Sequence, residues 1–309
     1  VPLDSAIKPP LPQTDALQRA QEGIRMHLAC ADKCASQVYL TVMVGAAWQD
    51  SVGEAVARLE ECGLVHLVGN AWPRGTFERW RDAVTTFKAA STEQQDALRK
   101  QMRANRTELF LPMQVGLPDP LEEGIVPAVL RRYVGGALAV DYVSVLDAKA
   151  GVADTQLLHY DVPFFPRTSL SAHTALEEID EAMGPTLFCP CTHSVTAWDN
   201  PPADLHSMEE AIRLASALRS AIRSTGSAVE RRCFGSSYLP RSVKAGTITL
   251  YDGALLHAGL ANVASRDRVV FNINYAAPPG YEVARNYTKG DSSGVNLETT
   301  RWRERCNSG

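Results

Sequence analysis

Length, composition and charge limit what this protein can be. The chain has 309 residues, of which 45% are hydrophobic and 21% charged, as is ordinary for a globular protein. A net charge of −4 and a pI near 6.0 give no general attraction to nucleic acid or to anionic membranes. No run approaches the ~18 apolar residues that a membrane helix needs. We therefore expect a soluble, intracellular protein without a nucleic-acid partner or a membrane segment.

The N-terminus and the cysteines bear on the compartment. The chain starts at Val1 rather than Met, as a processed or truncated N-terminus would. Its seven cysteines are scattered from Cys30 to Cys306 without the dense spacing of a secreted scaffold, so we expect mostly free thiols. Glycosylation-type triplets at Asn105 and Asn286 leave a secretory route open. The sequence carries no signal for an oligomeric state.

The first part of the chain, residues 1–137, is predicted to be mainly helical. Residues 1–12 are proline-rich and extended, and Gly63 ends one helix before a short strand. Helices are predicted over Thr14 to Tyr39, Ser51 to Cys62, Thr76 to Asn105 (two helices split near Ser91) and Asp119 to Tyr133, with a strand over Leu64 to Val68.

From Leu138 onward the pattern changes to short β-rich runs. Strands are predicted over Ala139 to Val145, Gln156 to Tyr160, Thr186 to Cys189, Thr247 to Tyr251, Leu255 to His257 and Val269 to Tyr275. The segment 207–223 has helical periodicity and is predicted to be an insertion. Helices followed by short strands indicate an α+β fold with a β-sandwich or jelly-roll barrel. We expect one domain over 1–309, with a β core over 138–280 and a tail over 281–309.

One pair of residues in the β-rich part suggests a metal site. His159 and Asp161 are two residues apart at the end of a predicted strand, so their side chains point to the same face. His257, in the apolar run Ala254 to His257, is the candidate third ligand. Two histidines and one carboxylate are typical of non-haem iron(II) oxygenases. An HxD pair alone is weak evidence for a metal site. The alternative is a structural histidine that is held by hydrogen bonds.

A basic residue downstream strengthens the metal interpretation. Arg268 opens the strand that follows His257, and Asn272 shares its parity. A guanidinium inside a barrel is costly unless an anion pairs with it, and its planar fork suits a carboxylate. The alternative is a salt bridge to a protein carboxylate or an outward-facing arginine, and for neighbouring Arg266 we favour that alternative. Cys189 to His193 (CPCTH) permits a zinc or redox site, but no second ligand pair follows at zinc spacing.

These segments together resemble the phytanoyl-CoA dioxygenase family of iron(II) and 2-oxoglutarate oxygenases. His159 to Pro166 (HYDVPFFP) resembles the metal-binding strand and the aromatic turn after it. Thr174 to His193 resembles the segment that ends in a PGTH-type sequence, and Lys244 to Tyr275 resembles the distal half with its histidine, asparagine and arginine. Arg58 to Val68 is similar to the family's helix, glycine and strand element. The resemblance spans most of 51–277.

The resemblance implies a fold and a set of ligands. It implies a double-stranded β-helix (a jelly-roll or cupin-like barrel) with iron(II) on His159, Asp161 and His257. The co-substrate 2-oxoglutarate would chelate the iron and pair with Arg268. Cofactor contacts are further expected at Thr174 and Asn272, and substrate contacts at His173 and Phe164.

The same resemblance implies the reaction. With iron(II), 2-oxoglutarate and O2, hydroxylation of a small organic substrate is expected, with release of succinate and carbon dioxide. The alternative is a non-catalytic relative that binds metal or 2-oxoglutarate as a sensor or structural domain. Three positions depart from the family pattern: Gly259 replaces a serine, His173 an aromatic residue, and Cys191 the glycine of PGTH.

Overall fold

The structure is a computed structural model, and it describes most of the chain between residues 32 and 277. The described residues are 32–89, 99–102, 106–111, 118–122, 124–152, 154–161, 167–195, 233 and 242–277. Four expectations lie wholly or mostly outside them: the helix from Thr14, the substrate contact at Phe164, the insertion at 207–223 and the tail at 281–309.

An eight-stranded sheet and a two-stranded sheet make up the β part of the described chain. The strands are β1 Thr41–Val44, β2 Leu64–Gly69, β3 Arg99–Met102, β4 Arg106–Phe110, β5 Ala139–Ala148, β6 Ser169–Ala175, β7 Thr186–Phe188, β8 Ile248–Asp252, β9 His257–Gly259 and β10 Arg268–Ala276. The large sheet has the order β1-β2-β8-β6-β10-β5-β4-β3, and β7 pairs with β9 in the small sheet. Only β1 and β2 pair in parallel among the described strands.

The two sheets contact each other through aromatic rings. Phe188 of β7 and His257 of β9 lie against Tyr251 of β8, with ring centroids 4.9 Å and 5.1 Å apart. The face of the large sheet that meets the small sheet is called here the inner face. Two facing antiparallel layers are the architecture of a jelly roll. The expected fold class is confirmed.

The three longer helices cover the outer face of the large sheet. The helices are α1 Gln37–Leu40, α2 Gln49–Cys62, α3 Thr76–Ala89, α4 Ile125–Val134 and α5 Thr192–Val195. Leu59 of α2, Trp80 of α3 and Leu130 of α4 pack in one buried apolar cluster with strand residues such as Phe271 and Ile273. This cluster contains residues from both the N-terminal part and the β-rich part.

Gly63 explains why α2 ends where the sequence predicts. It has a φ of 80° and its N–H donates to the Leu59 carbonyl, which closes the helix. A Cβ at this position would lie 2.4 Å from Nδ1 of His193. Glycine is therefore required both by the backbone conformation and by the neighbouring side chain.

Two secondary-structure predictions were wrong. The second predicted helix of Thr76 to Asn105 is strand β3 in its described part, because pairing with β4 overrides a modest helix propensity. β1 to β4 also belong to the N-terminal part, although helices there include more of the described residues than strands do. The predicted strand Gln156 to Tyr160 forms only an isolated bridge at His159, because a single ladder partner is present there.

The expectation of mostly free thiols was also wrong. Cys34 and Cys62 form a disulfide with a Cα–Cα distance of 5.7 Å, and Cys189 and Cys233 form another with a Cα–Cα distance of 5.2 Å. The sequence gives no signal for these pairs because 28 and 44 residues separate the partners. Cys189 is therefore engaged in a disulfide and is not a zinc ligand. Within the described residues, no helix is both long enough and apolar enough to cross a bilayer.

Candidate metal centre

The three predicted ligands come together at the edge of the small sheet. His159 and His257 exchange two backbone hydrogen bonds of 3.0 Å and 2.9 Å, so they form a directly opposed antiparallel pair. Their ring centroids are 4.4 Å apart. The Asp161 N–H donates to the Gly253 carbonyl, and its carboxylate Oδ1 lies 3.6 Å from Nε2 of His257. One ligand atom from each of the three residues lies within 4.8 Å of the others.

Local backbone contacts orient both imidazoles. Nδ1 of His159 lies 2.9 Å from the Leu157 carbonyl, and Nδ1 of His257 lies 3.0 Å from the Leu255 carbonyl. A carbonyl can only accept, so each Nδ1 must carry the proton. In the neutral imidazole, each Nε2 then has the lone pair that a metal requires, which is the usual arrangement of metal-binding histidines.

Asp161 is held in its charged form. Burial alone would raise its pKa, but the nearby imidazoles of His257 and His159 and a hydrogen bond from Tyr251 hold the pKa below the usual range. Tyr251 Oη donates to Oδ2 of Asp161 at 3.1 Å, while Nε2 of His173 lies 3.1 Å from the same hydroxyl. The hydroxyl therefore orients the carboxylate and leaves Oδ1 towards the histidines.

The structure places Arg268 and Asn272 in the same cavity as the ligands. Both are buried, at 5% and 3% exposure, and both line a small cavity of about 90 Å3 with the three ligands. Asn272 Nδ2 donates to Ser144 Oγ at 3.4 Å, and its Oδ1 has no partner among the described residues. Arg266, by contrast, is half-exposed, and its Nη2 lies 3.4 Å from Oδ2 of Asp180. This agrees with the prediction that Arg266 faces outward or forms a salt bridge with a protein carboxylate.

His173 and Thr174 lie on opposite faces of the sheet. His173 lines the small cavity, whereas Thr174 pairs with Phe271 and Ile248, which belong to the apolar cluster under the helices. The expected cofactor contact at Thr174 was therefore wrong, because adjacent strand residues point to opposite faces. Burial lowers the pKa of His173 to about 3, so its imidazole is neutral.

The departures from the family pattern have local explanations. A Cβ at Gly259 would lie 2.6 Å from Oε1 of Gln156, which accepts the Gly259 N–H at 2.8 Å. Gln156 thus occupies the space that a serine side chain would need. Cys191 adopts a φ of 66°, the left-handed conformation that a glycine favours at that position. His193 Nε2 lies 3.3 Å from the Glu60 carbonyl, which is a structural contact.

Sequence reasoning missed several residues of the small cavity. Tyr251, Gln156, Arg106 and Glu108 all line it with the ligands. Tyr251 ends the predicted strand Thr247 to Tyr251. Alternation along that strand, which puts Tyr251 and Thr249 on one face, is the signal that could have assigned its side chain to the cavity. Arg106 lies on β4, and no element was predicted for this segment, which lies between the helices predicted over Thr76 to Asn105 and Asp119 to Tyr133.

A second, larger cavity adjoins the first. Its volume is about 650 Å3, and it shares His173, Thr186 and Val270 with the small cavity. His66 and Thr249 add polar groups to its wall. Most other lining residues are apolar, including Leu40, Met43, Leu64, Val68, Ile179, Phe188 and Val243. The small cavity therefore has the candidate ligands and charged groups, and the larger one has room for an organic molecule.

The fold and the site together define a class. A jelly roll with two histidines and one carboxylate at one end is the arrangement of non-haem iron oxygenases. Consistent with this, the sequence matches the phytanoyl-CoA dioxygenase family over residues 59–270. The chain belongs to this family, and the resemblance seen in its motifs is confirmed. It is accordingly an iron- and 2-oxoglutarate-dependent oxygenase.

Solved structures support the fold. The non-haem α-ketoglutarate-dependent carbocyclase SnoK from nogalamycin biosynthesis is 17% identical with a TM-score of 0.50, and the alignment covers 72% of this chain and 83% of SnoK. EctD from S. alaskensis in its apoform is 16% identical with a TM-score of 0.50, over 76% of this chain and 78% of EctD. The sequence matches none of the curated proteins with which it was compared. At these identities the likeness concerns the fold.

Proposed function

We propose that His159, Asp161 and His257 bind iron(II), that 2-oxoglutarate binds between this metal and Arg268, and that the enzyme hydroxylates a small organic substrate. The observation that carries the proposal is the convergence of three correctly oriented ligand atoms with a buried guanidinium in one cavity. The proposal treats residues 1–309 as one oxygenase domain, which the apolar cluster shared by both parts supports.

The donor set fits iron(II). Two imidazole nitrogens and one carboxylate oxygen are the donor set that non-haem iron(II) takes, and they would leave positions on the metal for other ligands. When bound, iron(II) and 2-oxoglutarate supply the activation of dioxygen, with succinate and carbon dioxide as products. The protein's own groups would hold the metal, orient the co-substrate through Arg268 and orient Asp161 through Tyr251, while the imidazoles of His257 and His159 favour the ionised form of Asp161.

The larger cavity is the proposed substrate site. It adjoins the metal ligands through His173, and its mainly apolar wall suits an organic molecule, with Lys244 as a charged group at the wall. His66 and His173 are both neutral, since burial lowers their pKa values to about 4 and about 3, and each has one ring nitrogen without a partner among the described residues. Nδ1 of His173 would accept a hydrogen bond from a hydroxyl group of the substrate, because Nε2 of His173 donates to Tyr251 Oη once that hydroxyl donates to Asp161. Nε2 of His66 would bind a second polar group.

Succinate release tests the proposal. The protein is reconstituted anaerobically with iron(II) and 2-oxoglutarate and then exposed to air, with His159→Ala and Arg268→Ala as variants and Arg266→Ala as the matched control. We expect iron-dependent succinate from the wild type and the control, none from His159→Ala, and little from Arg268→Ala at low 2-oxoglutarate. A wild-type protein that binds neither iron nor 2-oxoglutarate would refute the assignment. Binding of both without turnover, even with added metabolites, would favour a sensor.

A further inference from the structure

Two buried arginines lie at one end of the small cavity. Arg106 of β4 and Arg268 of β10 both pair with Ala148 of β5, one from each side, so the three residues form a row across the sheet. Residues in such a row point to the same face. Both arginines accordingly line the small cavity with the metal ligands.

Backbone carbonyls accept hydrogen bonds from only some of the N–H groups of each guanidinium. Nη2 of Arg106 donates to the carbonyls of Gly259 and Leu260 at 3.1 Å and 2.6 Å. Nη1 of Arg268 lies 3.4 Å from the same Leu260 carbonyl and 3.5 Å from that of Met183. The shared carbonyl of Leu260 places the two guanidiniums side by side. Nε and Nη1 of Arg106 and Nε of Arg268 have no partner among the described residues.

Two buried positive charges so close together are unfavourable unless an anion binds to them. Arg106 is 3% exposed and Arg268 is 5% exposed. Burial, with the charge of Arg106 as a second cause, lowers the pKa of Arg268 to about 10, so both groups stay charged at neutral pH. A buried charge is strongly destabilising unless an opposite charge and hydrogen bonds compensate it.

The carboxylates that line the cavity are engaged elsewhere. Asp147 lies 3.0 Å from Lys149 and 3.2 Å from Lys88, and Glu108 accepts a hydrogen bond from Ser144. Asp161 belongs to the candidate metal centre. Asp154 acts on Arg106 through its charge, but no ion pair joins the two among the described contacts. The free donors of the two arginines therefore suit an anion from outside the chain.

We propose that Arg106 binds the distal carboxylate of 2-oxoglutarate together with Arg268, which makes the pair a selector for 2-oxo acids with a second carboxylate. The inference rests on the proposed function, since it assumes that a 2-oxo acid chelates the metal. A carboxylate offers about four lone-pair sites, which is enough to accept from two guanidinium forks at once. Arg106 is then a binding residue, and the carbonyls of Gly259 and Leu260 hold it in position.

Two 2-oxo acids separate this role from a structural one. 2-Oxobutyrate has the same metal-chelating head as 2-oxoglutarate but has no distal carboxylate. Anaerobic iron(II)-loaded protein is titrated with each acid, and binding is followed by the metal-to-ligand charge-transfer absorption band. The proteins are the wild type, Arg106→Met, Arg106→Lys and the exposed-arginine control Arg266→Met.

We expect Arg106→Met to raise the Kd for 2-oxoglutarate about 10- to 100-fold, as loss of a charged hydrogen-bonded pair does. The Kd for 2-oxobutyrate should stay within about twofold, and Arg106→Lys should lie between the wild type and Arg106→Met for 2-oxoglutarate. Arg266→Met should bind both acids like the wild type.

The contrary results are distinct. If the Kd values for both acids rise equally in the Arg106 variants, Arg106 only supports the backbone. If the Kd for 2-oxoglutarate is unchanged, the inference is overturned outright. In both cases the proposed function would stand. Failure of the wild type to bind either acid would overturn the proposed function together with the inference. Circular dichroism of each variant checks the fold, and Arg106→Lys keeps the test decisive if Arg106→Met does not fold.

Discussion

The two faces of the large sheet are built from alternate residues of the same strands, yet they differ in almost every physical property. On β10, Phe271 and Ile273 pack into the apolar cluster under the helices, and the ring of Phe271 lies 4.7 Å from that of Trp80. Arg268 and Asn272 of the same strand face the small cavity on the other side. One face supplies packing, and the other supplies charges and hydrogen-bonding groups.

Unsatisfied polar atoms show what this difference means. Side-chain atoms of Arg106, Arg268, Asn272, His173 and His66 are buried without a partner among the described residues, and all five residues line one of the two cavities. Such atoms are costly in a folded protein and are rare except where a ligand or water completes them. The unpartnered polar atoms of the inner face therefore lower the stability of the folded protein, and they are available to bind a ligand. Substitutions on the two faces should separate these two properties.

The largest effect is expected at the metal centre on the inner face. His257→Ala removes one of the three proposed ligands, and we expect the affinity for iron(II) to fall more than about a thousandfold while the unfolding midpoint of the iron-free protein changes little. Competition with a chromophoric chelator measures the affinity. His66→Gln, which lies on the same face outside the ligand set, should bind iron like the wild type. Retained iron affinity in His257→Ala would disprove the ligand assignment.

On the outer face, Phe271→Ala should act on stability. The side chain is fully buried against Trp80, so its removal leaves a cavity and should lower the free energy of unfolding by about 4 kcal/mol. Urea unfolding of the iron-free protein gives the value. Phe271→Leu, which retains most of the volume, should cost about 1 kcal/mol. A loss of 2-oxoglutarate binding in Phe271→Leu without a loss of stability would contradict the division between the faces.

A smaller effect is expected from protonation of His66. Burial lowers its pKa in the folded protein to about 4, below the ~6.5 of an unfolded chain, so the unfolded state takes up the proton first as the pH falls. The stability that neutral His66 retains at pH 7 is therefore lost as the pH drops from about 6.5 towards 4. Between pH 7 and pH 4.5 the wild type should lose about 2 kcal/mol more than His66→Gln. Parallel pH dependences of the two proteins would show that His66 is not held neutral.

The smallest predicted effect concerns the carboxylate ligand. Tyr251→Phe removes the hydroxyl that donates to Oδ2 of Asp161, and such supporting contacts typically contribute 10- to 100-fold to metal affinity. We expect a loss of about 10-fold in iron(II) affinity with little change in the unfolding midpoint. The chelator competition used for His257→Ala measures it. An unchanged affinity would mean that the histidine pair alone orients Asp161.

The sequence by itself determined the candidate ligands and the fold class. His159 and Asp161 could be singled out because a period of two places their side chains on one strand face. His257 and Arg268 could be singled out because their residue types suit iron and a carboxylate and because their segments resemble the family. The helix that ends at Gly63 and most strands from Ala139 onward were also predicted, since glycine breaks and β-branched runs are local signals.

Only the tertiary structure decided which residues join the ligands from distant strands. Arg106 reaches Arg268 because β4 and β10 flank β5, and Thr174 is turned away because His173, its neighbour, occupies the inner face. The pairing of Cys34 with Cys62 likewise depends on the packing of distant segments. Contacts of this kind are set by strand register and sheet order, which no local pattern in one sequence encodes.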